Sequence, residues 1–186
     1  REGNSSDIKR SAGEIMHANP LGGVCGLVCP DTLCMAACTR KKFDGSINIP
    51  RIQATIVDMA KQLGGIPKFE VPASNGRKVA VIGGGPAGLG AASALGQMGY
   101  TVEIFEKREE LGGMANFIPD DRLDKNALKT DIEFALSLGR ITVRTGMAVD
   151  DPKSLLQKGF AQKALGVPVA AIALNNHGKL WFKSVQ

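Results

Sequence analysis

Four cysteines fall within fourteen residues, as Cys25-x3-Cys29-x4-Cys34-x3-Cys38. Thiolates are soft ligands suited to iron–sulfur clusters or zinc. Proline follows Cys29, as it often does beside cluster ligands, yet the spacings match neither the bacterial ferredoxin run nor the paired C-x2-C of zinc ribbons. On this chemistry alone an iron–sulfur centre, a zinc site and plain buried cysteines all stay open. Such tight clustering argues for a metal or cluster over a disulfide framework.

A second set of residues bears on phosphate. The apolar run Lys78–Ile82 leads into Gly83-Gly-Gly85-Pro86-Ala87-Gly88-Leu89, and a second run from Tyr100 ends in Glu106, 18 residues after Gly88. In a strand–turn–helix, Gly83 lets the chain leave the strand sharply and Gly85 lets backbone N–H groups approach a pyrophosphate. Gly88 lets helix and strand pack closely. The diphosphate then meets the positive end of the helix. Glu106 is placed to accept hydrogen bonds from ribose hydroxyls and disfavours a 2′-phosphate, which points to FAD or NAD over NADP. Glycines serving only a tight turn would not require an acid at that spacing.

The surrounding elements follow from periodicity. A helix is expected from about Asp7 to Ala18 with Ile8, Ala12, Ile15 and Met16 on one face, stopped by Asn19-Pro20. Another is expected from about Pro50 to Leu63, where Ile52, Ile56, Met59, Ala60 and Leu63 recur at helical spacing before Gly64-Gly65. Residues 1–65 thus read as a small α-helical cysteine-rich domain, and residues 66–76, with Pro67 and Pro72, as a linker. Residues 77–186 read as an α/β Rossmann-like domain with an incomplete parallel sheet. Its elements are strand Lys78–Ile82, helix Pro86–Met98, strand Thr101–Glu106, helix Asp124–Leu138 and strand Ile141–Thr145. Asp124 caps the second helix, with Leu128, Ile132 and Ala135 inward. Asp151-Pro152 opens a short helix to Lys158, and Val167–Leu174 pairs with Leu180–Val185 around a turn that contains His177.

Bulk properties exclude several classes. The net charge of +5 over 186 residues comes from scattered cations with few aromatic residues, which argues against nucleic acid and for solvated surface, part of it suited to an acidic redox partner. No apolar run reaches membrane-spanning length and no signal peptide precedes the first helix, so a soluble, cytoplasmic protein is expected. An oligomer is compatible with the sequence.

The segment Asn19-Pro-Leu-Gly-Gly-Val-Cys25-Gly-Leu-Val-Cys29-Pro, then Leu33-Cys34, Cys38, Gly45-Ser-Ile-Asn-Ile49 and Gln53, resembles the N-terminal iron–sulfur domain of the family of dihydropyrimidine dehydrogenase and the glutamate synthase small subunit. In that family the helical domain precedes an FAD domain with the same Gly-Gly-Gly-Pro-Ala-Gly-Leu turn, and the resemblance covers about residues 7 to 160. It implies two [4Fe–4S] clusters whose ligands interleave two cysteine segments. Cys29, Cys34 and Gln53 match ligands of one cluster, Cys38 matches a ligand of the other, and Cys25 matches a cysteine that is not a ligand. The family's first cysteine segment lies upstream, so these residues alone complete neither cluster. With Arg1 as the first residue, a fragment is expected.

For the FAD half, the resemblance places Gly83, Gly85, Pro86, Ala87, Gly88 and Leu89 at the pyrophosphate. Glu106 through Met114, containing Leu111, Gly112 and Gly113, match the segment running from ribose to flavin. Arg122 matches an arginine at the FAD phosphates and Val149 a residue beside the adenine. The family continues into an inserted NAD(P)H domain that residues 161–186 do not match. The implied function is the electron-input module of an NAD(P)H-dependent oxidoreductase, passing electrons from flavin through [4Fe–4S] clusters to a partner domain or subunit, with no side chain nominated as acid, base or nucleophile. The competing reading is a non-catalytic dinucleotide-binding or assembly subunit with a zinc or structural cysteine cluster, or an inactive fragment.

Overall fold

The structure is a computed structural model that describes residues 4–67, 69–151, 155, 159–160, 172–174 and 180–181. In chain order the elements are α1 (Ser5–Ala18), α2 (Gly22–Val28), α3 (Asp31–Ala37), a 3-10 turn (Thr39–Lys42), α4 (Ile49–Gln62), β1 (Lys78–Ile82), α5 (Pro86–Gln97), β2 (Thr101–Phe105), a second 3-10 turn (Gly113–Phe117), α6 (Lys125–Ser137), β3 (Arg140–Arg144), β4 (Ile172–Leu174) and β5 (Leu180–Trp181). They form two compact units, residues 1–68 with 118–131, and residues 69–117 with 132–186. Among the described residues no helix is long and apolar enough to cross a membrane.

In the first unit, the Asp7 N–H donates to Asn4 Oδ1 at 2.9 Å and starts α1, which buries Ala12, Gly13 and Met16. The cysteine segment is itself helical: Pro30, which cannot extend a helix through its own N–H, separates α2 from α3. Asn48 caps α4 by accepting the Arg51 N–H at 3.0 Å, and Pro50 occupies the first turn. α2 and α4 meet backbone to backbone, since a Cβ on Gly26 would lie 2.6 Å from Ala54 N and 2.8 Å from Pro50 O. That contact fixes the rotation of α4, turning Pro50, Val57 and Ala60 inward. Of the apolar recurrence read from the sequence, Ala60 is buried, while Ile52, Met59 and Leu63 remain 47%, 39% and 40% exposed. The longest apolar stripe is therefore not the buried face.

Residues 118–131 close this unit. Asp124 Oδ1 accepts the Asn126 N–H at 2.9 Å, the cap expected for α6. About two turns further on, the side chain of Asp131 is fully buried. Its Oδ2 accepts the Val24 N–H at 2.8 Å and its Oδ1 pairs with Lys61 Nζ at 2.9 Å. A Cβ on Gly23 would stand 3.0 Å from both carboxylate oxygens, so glycine is what admits the acid to the first turn of α2. One carboxylate thus ties α2, the end of α4 and α6.

The second unit is a sheet of order β3-β2-β1-β4-β5. β1 pairs in parallel with β2 and β4, and β2 with β3, in the register Lys78↔Thr101 and Thr101↔Arg140. β4 and β5 pair antiparallel, the expected hairpin in shorter form. Val79, Val81, Val102 and Ile104 are buried on the strands, with Leu89 and Ala92 from α5. A Cβ on Gly96 of α5 would lie 2.9 Å from Gly139 Cα, so the chain after α6 passes α5 closely. Leu128 and Ala135 of α6 are buried as expected, and Ile132 is half-buried. The expected helix after Asp151 lies mostly outside the described residues, but Leu155 and Phe160 join a core with Ala80 and Phe105, and Val149 packs on it.

Glu103, 6% exposed on β2, is bracketed by cations from both neighbouring strands: Lys78 Nζ lies 3.0 Å from Oε2, and Arg144 Nε donates to Oε1 at 2.7 Å. The Arg144 hydrogen bond, then Lys78, hold the Glu103 carboxyl below its usual range against the opposing effect of burial. A depressed folded-state value contributes stability above the unfolded value of about 4.3 and loses it as pH falls through the folded value. Glu103→Gln is therefore expected to lower the unfolding free energy by about 1–2 kcal/mol at neutral pH and flatten the acid limb of the urea midpoint against pH. In the first unit, Lys61→Met strands a buried carboxylate and is expected to cost about 3 kcal/mol, whereas Asp131→Asn keeps an acceptor for Val24 and costs about 1–2 kcal/mol; denaturant titration ranks the two.

Candidate functional site

The glycine turn has the geometry an anion needs. Gly83 has φ +102°, a value costly for any residue with a side chain. Its N–H still donates to Phe105 O at 2.8 Å, so the chain leaves the sheet only after the last rung. A Cβ on Gly88 would collide with the Gly83 carbonyl oxygen. Gly85 is the extended N-cap of α5, Pro86 follows in the first turn, and no side chain caps this end. The first-turn N–H groups therefore keep their donors for a ligand.

A second glycine pair faces the first. The Gly112 N–H donates to Gly84 O at 2.8 Å, and a Cβ on Gly113 would lie 2.8 Å from Gly85 Cα. Leu111 covers Gly84, while Met114 on the following 3-10 turn is 72% exposed. Glu106 lies at the end of β2 and is 6% exposed. Its Oε2 accepts the Gly84 N–H at 2.6 Å and its Oε1 the Arg108 N–H at 2.9 Å. These bonds aim the carboxylate, and each oxygen keeps a lone pair for a hydroxyl donor. The Met147 N–H donates to Glu106 O at 2.9 Å, which brings the segment leading to Val149 alongside the acid. Gly83, Gly85, Gly88, Glu106, Gly112 and Gly113 are thus gathered in one place, and a dinucleotide fits the backbone cradle that their missing Cβ atoms leave. Pro86 and Ala87 are exposed at the start of α5, and Leu89 is buried beneath it.

Arg122 belongs to the other unit. Its N–H donates to Pro119 O at 2.9 Å, and it lines a cavity of about 430 Å³ with Cys29, Pro30, Asp31, Asn48 and Arg51. Around the cysteines, Cys29 ends α2 and Cys38 ends α3, while Cys34 lies within α3. The Ile47 N–H points at Cys38 Sγ, 3.4 Å away. This bond, aided by the Arg40 and Lys41 N–H groups and the Arg40 charge, pulls the Cys38 thiol below its ordinary range against burial. Gln53 Nε2 donates to Gly22 O at 2.7 Å, which fixes the amide on α2. Among the described residues no three Cys, His, Asp or Glu side chains are gathered for a metal ion. Cys29, Cys34, Cys38 and Gln53 by themselves therefore do not fit a complete cluster site.

Two contributors escaped the sequence reading. Asp131 lies on the inward face of α6, three residues after Leu128 and four before Ala135, and an acid on a buried stripe was the available signal. The Ile47 N–H carries no signal in residue type.

A Rossmann-like unit with a backbone cradle suited to a dinucleotide, in one chain with a helical unit that carries four cysteines, defines a class of two-unit nucleotide-binding proteins. The comparisons with known proteins agree in both halves. Residues 81–138 match the NAD(P)-binding Rossmann-like domain family, and residues 1–64 match dihydropyrimidine dehydrogenase domain II, 4Fe-4S cluster. The chain is 36% identical over 165 residues to the NAD-dependent dihydropyrimidine dehydrogenase subunit PreT of Escherichia coli (strain K12), covering 88% of this chain and 40% of that protein. It is 37% identical over 131 residues to the Glutamate synthase [NADPH] small chain of the same strain, covering 69% and 28%. The corresponding small chain of Halomonas elongata is 39% identical over 121 residues, 63% and 26%. The chain is thus similar to these oxidoreductase subunits in both of its halves, and it spans 26–40% of the length of these relatives.

Gly88→Ala is expected to cost about 1–3 kcal/mol by pushing α5 off the Gly83 carbonyl, and to reduce dinucleotide binding with it. Gly90, one turn into α5, has open space where a Cβ would stand. Gly90→Ala is therefore expected to stabilise the helix by about 0.5–1 kcal/mol with binding retained. Thermal melts with and without added FAD compare the two.

Proposed function

We propose that this chain is the FAD-binding, electron-input part of an NAD(P)H-dependent iron–sulfur oxidoreductase. The observation that carries the reading is the pair of apposed glycine turns closed by Glu106, in a chain whose other half matches a 4Fe-4S domain. The uncapped N-terminus of α5 binds the diphosphate, with Gly83, Gly85 and Gly88 keeping side chains out of its way. Glu106 takes the ribose hydroxyls, held in place by Gly84 and Arg108. Leu111, Gly112, Gly113 and Met114 carry the chain toward the flavin end, and Val149 packs beside the adenosine end. Arg122 supplies a guanidinium suited to phosphate. When bound, FAD supplies the exchange between two-electron and one-electron chemistry. The side chains bind, orient and exclude water.

In this reading Cys29, Cys34, Cys38 and Gln53 contribute to [4Fe–4S] clusters together with ligands outside these residues. The complete oxidoreductase takes NAD(P)H as donor, works with a redox partner subunit or domain, and is cytoplasmic. Two of the relatives are by name a subunit and a small chain of larger enzymes, which supports a partner.

Incubation with FAD followed by desalting is expected to leave a retained flavin band near about 450 nm, lost or strongly reduced in Glu106→Ala. Retention of NAD in its place, or of neither, sinks the FAD assignment. Metal analysis after anaerobic loading separates iron with sulfide from stoichiometric zinc, the latter favouring a structural clamp.

A further inference from the structure

One part of the first unit is built firmly yet buries almost nothing. α3 has no buried residue, and Leu33 on it is 70% exposed. The 3-10 turn that follows ends at Phe43, which is 85% exposed. These side chains are not on a loose loop. The N–H groups of Phe43, Asp44 and Gly45 converge on Arg40 O at 2.8, 3.1 and 3.3 Å, and the Arg40 guanidinium grips the Asp44 carboxylate with two nitrogens. Ser46 Oγ donates to Met35 O at 2.8 Å and Asn48 Nδ2 to Asp31 Oδ2 at 2.9 Å, which lashes the turn to α3.

Charge adds a direction. Asp44 compensates Arg40, and Lys41 and Lys42 have no ion-pair partner among the described residues. The result is a pre-organised lobe with a projecting aromatic ring beside two uncompensated ammonium groups. A buried apolar anchor rimmed by charge is the anatomy of a protein-binding hot spot, and a fixed turn lowers the ordering cost of binding. Two of the four cysteines, Cys34 and Cys38, are on the same lobe, and Phe43 is within about 17 Å of Cys38 by chain length alone.

We infer that the Lys41–Phe43 turn is the docking surface for an acidic electron-carrier protein, with Phe43 entering an apolar depression and Lys41 and Lys42 meeting carboxylates around it. This rests on the electron-input reading and adds to it the side from which the partner approaches and the sign of its charge. The choice of a protein over an anionic membrane follows from the geometry, because one ring and two lysines on a tight turn present a point contact, without the long amphipathic face that lies in a bilayer surface.

The test uses the full chain and flavodoxin, an acidic flavin carrier, as probe, with binding measured by titration calorimetry at about 20 mM and about 200 mM salt. The wild-type chain is expected to bind more tightly at low salt. Lys41→Glu with Lys42→Glu should weaken binding about tenfold or more at low salt, Phe43→Ala should weaken it about tenfold at both salts, and Lys129→Glu, an exposed lysine elsewhere, should change it less than about threefold. All these positions are exposed and outside the core. No binding by the wild type, or equal binding by all variants, overturns the proposal. So does binding only to vesicles containing about 30% phosphatidylserine, or a self-association that Phe43→Ala abolishes. A chain that retains FAD but fails these tests loses the docking surface alone, while absence of retained FAD removes the electron-input reading itself.

Discussion

The carbonyl oxygen of Gly83 occupies the space where any residue other than glycine at position 88 would put its Cβ. That single steric fact sets how closely α5 can approach the end of β1, and the rest of the dinucleotide cradle is referred to it. With α5 so close, its first turn opens beside the strand ends. The Gly112–Gly113 turn then rests against Gly84 and Gly85 with backbone meeting backbone. The Gly84 N–H is left to be claimed by Glu106. A surface made of N–H groups with no side chains between them is a consequence of packing before it is a feature of binding.

The first unit solves a different problem. Beside buried Met16, Val57, Leu123 and Leu128, α2 and α4 meet through Gly26 and the backbone of Pro50 and Ala54. Its specificity comes from a buried ion pair: Asp131 needs Lys61 for charge and Val24 for a donor, and only one arrangement of α2, α4 and α6 supplies both. A pair of this kind adds little net stability over a hydrophobic substitute, but its loss on one side is costly, which disfavours other packings.

What was legible in the sequence was what depends on backbone permissiveness and spacing. Gly83, Gly85, Gly88 and Glu106 announced the cradle because each is required by a local geometry that few other residues satisfy. Gly112 and Gly113 were legible through their resemblance to a known segment. The inward face of α4 was not, because the most apolar stripe and the buried stripe differ: the contact with Gly26 sets Pro50 and Ala54 against α2, and Ile52, Met59 and Leu63 are left exposed. Asp131 was missed for a related reason. Its partners are 70 and 107 residues away in the chain, and no local period encodes them. The cysteine segment is legible as a run of four thiols, while its division into two short helices around Pro30 was not foreseen.

The closing segment of the first unit, residues 118–131, is separated from residues 1–68 by a stretch that contains the first two strands of the sheet. A ribosome adding about 5–20 residues per second takes on the order of 3–10 s to cross that interval. During synthesis the N-terminal helices emerge, and wait, with Lys61 and the first turn of α2 still lacking their carboxylate. The cysteines they carry are therefore displayed on an open scaffold for seconds before the unit can lock, an interval in which the order of chain growth, and not the final geometry, governs what reaches them first.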